Sequence, residues 1–387
     1  MDSPPFDIAH RDGGQPYEPA HRFNTLDAMR GIGALAVMGF HYLWGLTGLF
    51  SQAFFGVDFF FCLSGVILVH AYAKKIDGGL SFAGYMHHRV NRLGPFYFIG
   101  FALGAILLMS YRIVAPVPGF GPFDHWLAIV FGLIALPYPN HGALPFVGTA
   151  VITGPLFPTN IPAWSLFFEM VASAALFVAL KQRVNLMAIA TCSGFVWLAA
   201  AVIYRTDNVG WGISTFAGGF PRTAFMFFLG ATLYGWFRRY PRRLRLSPWV
   251  LLVTMAAALA APLLPLGVAG KLAQTAALVS LAPCAVLLGL KCDDRRPRPV
   301  FAYLGRMSYG IYAVHWPVYH LLALAFGAWA ATRRLVEMPL LFAAVAAMMG
   351  LGLAHGLTVY VDEPIRRRLS ARARQQLRGE PQDAIAG

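Results

Sequence analysis

The sequence predicts an all-α membrane protein, a bundle of about ten transmembrane helices with a long outward loop after the third. The first observation behind this prediction is composition: of 387 residues, 58% are hydrophobic and only 12% are charged. Soluble domains carry about 25% charged residues, so this chain has too few polar side chains to face water throughout. The second observation is that apolar residues gather in bilayer-length segments, and the third is that basic residues gather between them.

Ten apolar segments approach the ~20 residues that cross a bilayer. By number they are 26–46, 51–73, 95–114, 164–180, 185–204, 222–236, 248–266, 272–290, 301–328 and 337–361. With a cytoplasmic N-terminus, the basic hinges after the second, fourth, sixth, eighth and tenth segments all lie in the cytoplasm, as the positive-inside rule requires. A few arginines fall on the outer side, where we expect them to snorkel to the interface: Arg112, Arg205, Arg222, Arg333 and Arg334.

The chain divides into a cytoplasmic N-terminal segment (1–23), a membrane domain (24–367) and a basic cytoplasmic tail (368–387). Residues 115–162 form the long outward loop, and the short apolar stretch 126–136 predicts an interfacial or re-entrant helix, part of a lid over the outer mouth. The net charge of +14 is spread over short hinges rather than one basic domain, which argues against binding nucleic acid. The four cysteines have no metal-ligand spacing, so no metal site is predicted.

Ionisable residues at membrane depth cost several kcal/mol, so each is a functional candidate until a partner explains it. In the first segment, ten residues separate Arg30 from His41. At 100° per residue, both side chains project from one helix face, about 16 Å apart along the axis. Counting from the predicted ends of the segments places His41, Asp58 and Glu169 at comparable depths, each about 8 to 10 Å below the outer surface.

An imidazole that shares a layer with two carboxylates suits acid–base chemistry. A neutral histidine can take a proton from a hydroxyl, while a carboxylate on its other nitrogen fixes the tautomer and stabilises the imidazolium. We therefore expect His41 to be the base, with Asp58 or Glu169 orienting it. The other interpretation, which stays open, is an ion cluster that only holds the helices together.

Two further groups of residues are candidates for binding. Ser308, Tyr312 and His315 occur at helical spacing and form a polar stripe that faces inward. His315 either lines a substrate tunnel or is a packed, hydrogen-bonded histidine. Pro317 is expected to kink this helix and free the carbonyl of Ala313.

At the cytoplasmic mouth of the third segment, Arg89 and Arg92 lie one turn apart. Guanidinium groups suit phosphate, and Arg30 could join them, although ordinary anchoring at the membrane surface explains Arg89 and Arg92 equally well.

Taken together, these stretches resemble the acyltransferase-3 family of membrane proteins. The resemblance rests on Arg30 with His41, FFGVDFFFCLSG at 54–65, RVNRLGP at 89–95, WSLFFE at 164–169 and SYGIYAVHWP at 308–317, followed by EPIR at 363–366. Each motif alone is weak, but six in order are specific, and they cover about residues 24–367.

The resemblance implies a ten-helix O-acyltransferase. We expect it in the bacterial inner (cytoplasmic) membrane, and the basic hinges predict that both termini are cytoplasmic. It would take an acetyl or other short acyl group from cytoplasmic acyl-CoA, with no permanently bound cofactor, and transfer it to a hydroxyl of a cell-envelope or exported glycan. Its partners would then be acyl-CoA, a carbohydrate or glycoconjugate acceptor and membrane lipids.

The predicted roles divide into three sets. The catalytic residues are His41, as base or as a covalent acyl relay, with Asp58 and Glu169. The acyl-CoA ligands are Arg30, Arg89 and Arg92. Substrate contacts are expected from Trp164, Ser308, Tyr312 and His315.

A second function class uses the same residues differently. Buried histidine, aspartate and glutamate also suit the proton relay of a proton-coupled secondary transporter. No repeat relating the two halves of the sequence is visible, which disfavours the transporter, and a non-catalytic membrane scaffold would not need several ionisable groups at one depth.

Overall fold

The computed structural model describes residues 23–114, 120–139, 141–145, 151–262, 268–292, 298–328, 334–365 and 368. Several predictions fall outside these residues. They concern the N-terminal segment up to residue 22, the basic pair at 295–296, Arg333, the basic residues 366 and 367, and the tail beyond 368.

Helices make up nearly all of the regular structure. They are α1 (Asn24–Thr47), α2 (Phe55–Asp77), α3 (Phe82–Val114), α4 (Pro122–Leu133), α5 (Ala163–Lys181), α6 (Leu186–Tyr204), α7 (Phe216–Arg239), α8 (Pro248–Ala260), α9 (Val268–Cys292), α10 (Pro299–Ala328) and α11 (Pro339–Leu357). The all-α prediction missed a small antiparallel hairpin in the segment before α5, in which Ala143–Pro145 pairs with Val151–Thr153.

Each of the ten predicted segments overlaps one of these helices. Within the described residues, six helices are long and apolar enough to cross a membrane. They are α2, α3, α5, α6, Ala273–Cys292 within α9, and Pro339–Ile365, which extends α11 through a short π-helical turn. The chain is thus a helical protein with several candidate membrane spans. That α1, α7, α8 and α10 also cross, and that residues 115–162 form an outward loop, stay predictions.

Helix α3 begins 13 residues earlier than the predicted span, at Phe82 rather than at Pro95, which lies inside the helix. Its 33 residues extend about 50 Å, well beyond a hydrocarbon core of about 30 Å. The stretch that carries Arg89 and Arg92 is therefore continuous with the apolar part of α3 rather than a separate hinge.

Helix α4 corresponds to the predicted interfacial segment. Its exposed side includes Phe123, Trp126 and Val130, spaced by three and four residues, an apolar stripe that suits a lipid interface. At its N-terminus the Asp124 carboxylate accepts hydrogen bonds from the Tyr138 hydroxyl (2.6 Å) and the Gly121 amide (2.7 Å). These bonds hold the pKa of Asp124 below its usual value, and the bond from Tyr138 has the larger effect. They therefore stabilise the N-terminus of α4 at neutral pH, and this stabilisation is lost as the pH falls through the lowered pKa.

Near their N-terminal ends, helices α1 and α10 pack closely because two glycines remove side chains from the contact. A Cβ on Gly31 would lie 2.6 Å from Cβ and 2.8 Å from the carbonyl oxygen of Leu304, and one on Gly305 would lie 2.6 Å from Cβ of Asp27. Small residues of this kind allow membrane helices to approach closely.

The carbonyl of Ala313, which Pro317 was expected to leave free in α10, has a hydrogen-bond partner from another element. Pro317 lies inside the helix and cannot donate to the carbonyl of Ala313. Nδ2 of Asn160, from the segment before α5, donates to that oxygen at 2.9 Å. The predicted free carbonyl is thus satisfied by a side chain from another element.

Replacing Gly31 with alanine should destabilise the protein by about 1–3 kcal/mol, because the clash is with backbone atoms that move only if α10 moves. The midpoint of thermal unfolding in detergent measures the effect. Gly45→Ala, in the same helix with open space around it, is the matched control and should be neutral or slightly stabilising. Equal stability of Gly31→Ala and the wild type would mean that the two helices are not in this close contact.

Candidate active site

Polar contacts join α1 and α10 at both ends of their interface. Near the start of α1, Arg30 donates from Nε to Ser308 Oγ (2.8 Å) and from Nη2 to the Gly305 carbonyl (2.6 Å). Three turns later, Nδ1 of His41 lies 3.1 Å from Nε2 of His315, and the Tyr42 hydroxyl donates to the His315 carbonyl at 2.7 Å. Arg30 and His41 therefore both face α10, as their spacing predicts.

The two histidines form a pair with the same local geometry. In each, Nδ1 lies near the carbonyl oxygen four residues earlier in its own helix, 3.0 Å from Val37 for His41 and 3.1 Å from Ile311 for His315. His315 is 1% exposed, whereas His41 is partly exposed. His315 is thus a packed, hydrogen-bonded histidine, and the partner of His41 is another imidazole.

The prediction that Asp58 orients His41 is wrong. Both Asp58 oxygens bind Arg222 of α7, which donates from Nε (2.9 Å) and Nη2 (2.8 Å), and both side chains are completely buried. Nη1 of Arg222 also donates to the Asn208 side chain and to the Val209 carbonyl. Asp58 therefore fixes Arg222, and Arg222 fixes the segment between α6 and α7.

Arg222 was expected to snorkel to the outer interface, and this prediction is also wrong. Its guanidinium lies 5.5 Å from the Trp164 ring centroid and 5.8 Å from that of Phe54. Trp164 is buried in this cluster and does not line a cavity with the other candidates, so its predicted role as a substrate contact is not supported by its position.

The prediction that Glu169 orients His41 is wrong as well. Glu169 Oε1 accepts from Arg89 Nη2 at 2.6 Å and from Ser64 Oγ at 2.8 Å. Arg89 is 3% exposed. The early start of α3 explains why Arg89 and Glu169 meet. Arg89 lies inside a continuous helix that packs on α5, and not in a hinge at the cytoplasmic surface. Its guanidinium therefore reaches Glu169, which the count of residues from the predicted end of its segment had placed near the outer surface.

A cavity of about 610 Å³ runs between α1, α2, α3, α5 and α10. Its wall includes Asp27 and Arg306 from the first two turns of α1 and α10, which are the predicted cytoplasmic ends, and Tyr312 further along. Of the predicted site residues, the cavity gathers Arg30, Arg89, Arg92, Glu169, Ser308 and Tyr312.

Tyr312 separates this cavity from the histidine pair. Its ring lies 5.7 Å from that of Phe60, which also lines the cavity, and 5.9 Å from that of His315. The Tyr312 hydroxyl is held by Ser165 Oγ (2.6 Å) and the Pro162 carbonyl (3.0 Å). His41 and His315 are not part of the wall of this cavity, so the cavity alone does not form the expected tunnel from the cytoplasm to His41, and Tyr312 is the wall residue that contacts His315.

The charges in the cavity are largely balanced. Four arginines (Arg30, Arg89, Arg92, Arg306) and four carboxylates (Asp27, Glu169, Asp362, Glu363) line it. Arg30 lies 3.4 Å from Asp27, and Arg306 lies 3.3 Å from Glu363. Within the described part of the chain, however, the buried Nε of Arg89 has no hydrogen-bond partner. Buried polar groups are rarely left without a hydrogen bond, so this donor is a candidate point of contact for a bound molecule.

Several residues that shape the site were missed in the sequence. The signal for Arg222 was present, because a charged residue in an apolar segment needs a partner when it faces the bundle. Phe60 and Ser165 carry no such signal, since an aromatic or small polar residue in an apolar helix is ordinary. His320, which packs against Trp316 with ring centroids 3.9 Å apart, was not singled out either.

Comparisons with known proteins agree with the resemblance seen in the motifs. The sequence model of a family described as an acyltransferase domain matches residues 23–358. A protein of Rhizobium radiobacter described as protein 2 in the picA locus is 33% identical over 196 residues, which cover 47% of this chain and 96% of that protein. No solved structure matches the chain significantly.

Removing one partner of the Asp58–Arg222 pair should cost about 3–5 kcal/mol, because it leaves a buried charge uncompensated. We expect Asp58→Leu and Arg222→Met each to lower the thermal unfolding midpoint strongly, and the double variant to recover much of the loss. Arg205→Met, at an exposed arginine, is the control. If Asp58→Leu unfolds at the same temperature as the wild type but is inactive, Asp58 has a catalytic role and the structural interpretation is wrong.

Proposed function

Since the chain belongs to the acyltransferase-3 family, we propose that it transfers an acetyl or other short acyl group from cytoplasmic acyl-CoA to a hydroxyl of a cell-envelope or exported glycan. The observation that carries the proposal is the alignment of two features along α1 and α10. An arginine-lined cavity opens at their predicted cytoplasmic ends, and a histidine pair lies beyond its far wall.

The cavity suits the donor in size and in chemistry. A volume of about 610 Å³ is within the range of small-molecule sites, roughly 300–1,000 Å³. Its mixture of apolar wall and guanidinium groups suits a pantetheine arm that ends in phosphates. The open Nε–H of Arg89 offers a hydrogen bond that needs no carboxylate to be displaced, whereas phosphate at Arg30 or Arg306 would compete with Asp27 or Glu363.

In the proposed reaction, a free ring nitrogen of His41 takes the proton of the acceptor hydroxyl while that oxygen bonds to the thioester carbonyl carbon. The carbon–sulfur bond then breaks, and the proton passes from the imidazolium to the leaving thiolate, so the products are the ester and free CoA. In the covalent variant, the same nitrogen attacks the thioester first and the hydroxyl attacks the acyl-imidazole second. Both routes need one unprotonated nitrogen on His41.

The thioester has to pass the wall formed by Phe60 and Tyr312. Phe60 is only partly buried, and its contact with Tyr312 is between ring edges and faces rather than through a hydrogen bond. Tyr312 is held at its hydroxyl by Ser165 and Pro162. We therefore propose that a rotation of Phe60, rather than of Tyr312, opens the way to the histidine pair.

The central test uses purified protein in lipid nanodiscs, acetyl-CoA labelled in the acetyl group, and envelope glycan as acceptor. The wild type should transfer label, and His41→Ala should lose transfer by at least about 100-fold, the contribution expected of a general base. His355→Ala, at an exposed histidine, should retain it. Normal transfer by His41→Ala would remove this residue from the mechanism. Proton-coupled uptake of a solute by the same protein in closed proteoliposomes, without thioester cleavage, would favour the transporter.

Arg89→Lys should weaken acyl-CoA binding more than it slows the chemical step. Lysine keeps a positive charge for Glu169 but lacks the open Nε–H, and a hydrogen bond to a charged ligand contributes about 1.5–3 kcal/mol. We expect KM for acyl-CoA to rise roughly 10- to 100-fold with kcat little changed. Arg112→Lys, at the far end of the same helix, is the control. An unchanged KM would place the donor elsewhere.

A further inference from the structure

We propose that His315 is a positioning residue that fixes His41 in the tautomer with hydrogen on Nδ1, so that Nε2 of His41 is the atom that acts on the substrate. This inference rests on the proposed function for its consequences, although the tautomer can be observed by itself. In this proposal the imidazole of His315 orients His41, whereas the sequence predicted that a carboxylate would do so.

The assignment begins at His315. Its Nδ1 lies 3.1 Å from the carbonyl oxygen of Ile311. A carbonyl oxygen only accepts hydrogen bonds, so Nδ1 of His315 must carry the hydrogen. A neutral imidazole has a single N–H, which leaves a lone pair on Nε2 of His315.

The same reasoning then fixes His41. Its Nδ1 has two neighbours, the Val37 carbonyl at 3.0 Å and the lone pair on Nε2 of His315 at 3.1 Å. Both neighbours are acceptors, so Nδ1 of His41 carries a hydrogen that the two acceptors share. The opposite assignment would bring lone pairs against both Val37 and Ile311 at hydrogen-bond distance, two repulsive contacts in place of two bonds.

The consequence is a defined reactive atom. With hydrogen on Nδ1, the lone pair of His41 lies on Nε2. Within the part of the chain that the structure describes, no residue hydrogen-bonds Nε2 of His41, and the side chain is partly exposed. This nitrogen is therefore available to a hydroxyl or to an acyl carbon, whichever of the two routes operates.

Neighbouring contacts hold His315 in place for this role. The Tyr42 hydroxyl donates to the His315 carbonyl at 2.7 Å, which ties the residue after His41 to α10. The ring of His315 also lies 5.9 Å from that of Tyr312, at the end of the cavity. The two neutral imidazoles bring no net charge into the apolar bundle, whereas a carboxylate at this depth would need a cation beside it.

Two substitutions separate positioning from simple packing. Glutamine at 315 places an acceptor oxygen as far from the backbone as Nε2 of histidine, whereas asparagine reaches only as far as Nδ1. We expect His315→Gln to keep kcat within about threefold and His315→Asn to lower kcat by about 100-fold, both with KM for acyl-CoA unchanged. Asparagine leaves more empty space than glutamine, so a purely structural role would lower the thermal unfolding midpoint in parallel with kcat. Equal impairment of the two variants, or a loss of kcat that follows the loss of stability, overturns the inference.

Nitrogen-15 NMR of histidine-labelled protein in bilayers provides a readout that does not depend on activity. The resonances that disappear in His41→Ala should have the shifts of a neutral ring protonated at Nδ1. In His315→Asn the hydrogen on Nδ1 keeps only the Val37 carbonyl as acceptor, so the shifts should move part of the way towards the tautomer protonated at Nε2. A wild-type His41 protonated at Nε2 overturns the inference even if transfer is normal. A wild type that fails to transfer removes the proposed function and leaves the tautomer to be decided by the spectra.

Discussion

Helices α1 and α10 carry polar side chains that neither lipid nor an apolar core can solvate, and each helix supplies partners for the other. Arg30 is satisfied by Ser308 and a carbonyl of α10, and His41 is satisfied by His315. Glycines at the contact bring the two backbones close enough for these bonds. Because every polar atom left unpaired in an apolar interior costs free energy, this interface fixes the relative position of the arginine-lined cavity and the histidine pair.

The same constraint decides where the carboxylates go. A carboxylate and a guanidinium that are both buried must meet each other, and Asp58 with Arg222 and Glu169 with Arg89 do so. The first ion pair joins α2 to α7, and the second joins α5 to α3. Each pair therefore also holds two helices in contact. This pairing also leaves neither carboxylate beside His41. The imidazole that meets His41 avoids the cost of another buried charge.

The cavity and the histidine pair are adjacent yet separate. Tyr312 belongs to the cavity wall on one side and contacts His315 on the other, so a small rearrangement at this layer would connect them. Under the proposed function, this layer would shield a thioester in the cavity from water on the side of the histidine pair.

The sequence by itself determined the class of protein, the helix positions and the face shared by Arg30 and His41, because apolar length and helical periodicity are local properties. It also predicted the inward stripe at Ser308, Tyr312 and His315 and the free carbonyl before Pro317. Family membership followed from the order of the motifs. Only the tertiary structure decided which charges pair, since partners such as Arg222 are distant in the chain and depth counting assumes that every helix begins at the membrane surface. Helix α3 begins before the predicted span, so Arg89 lies within reach of Glu169. Arg222 pairs with Asp58. With both carboxylates paired to arginines, the side chain that contacts His41 is the imidazole of His315.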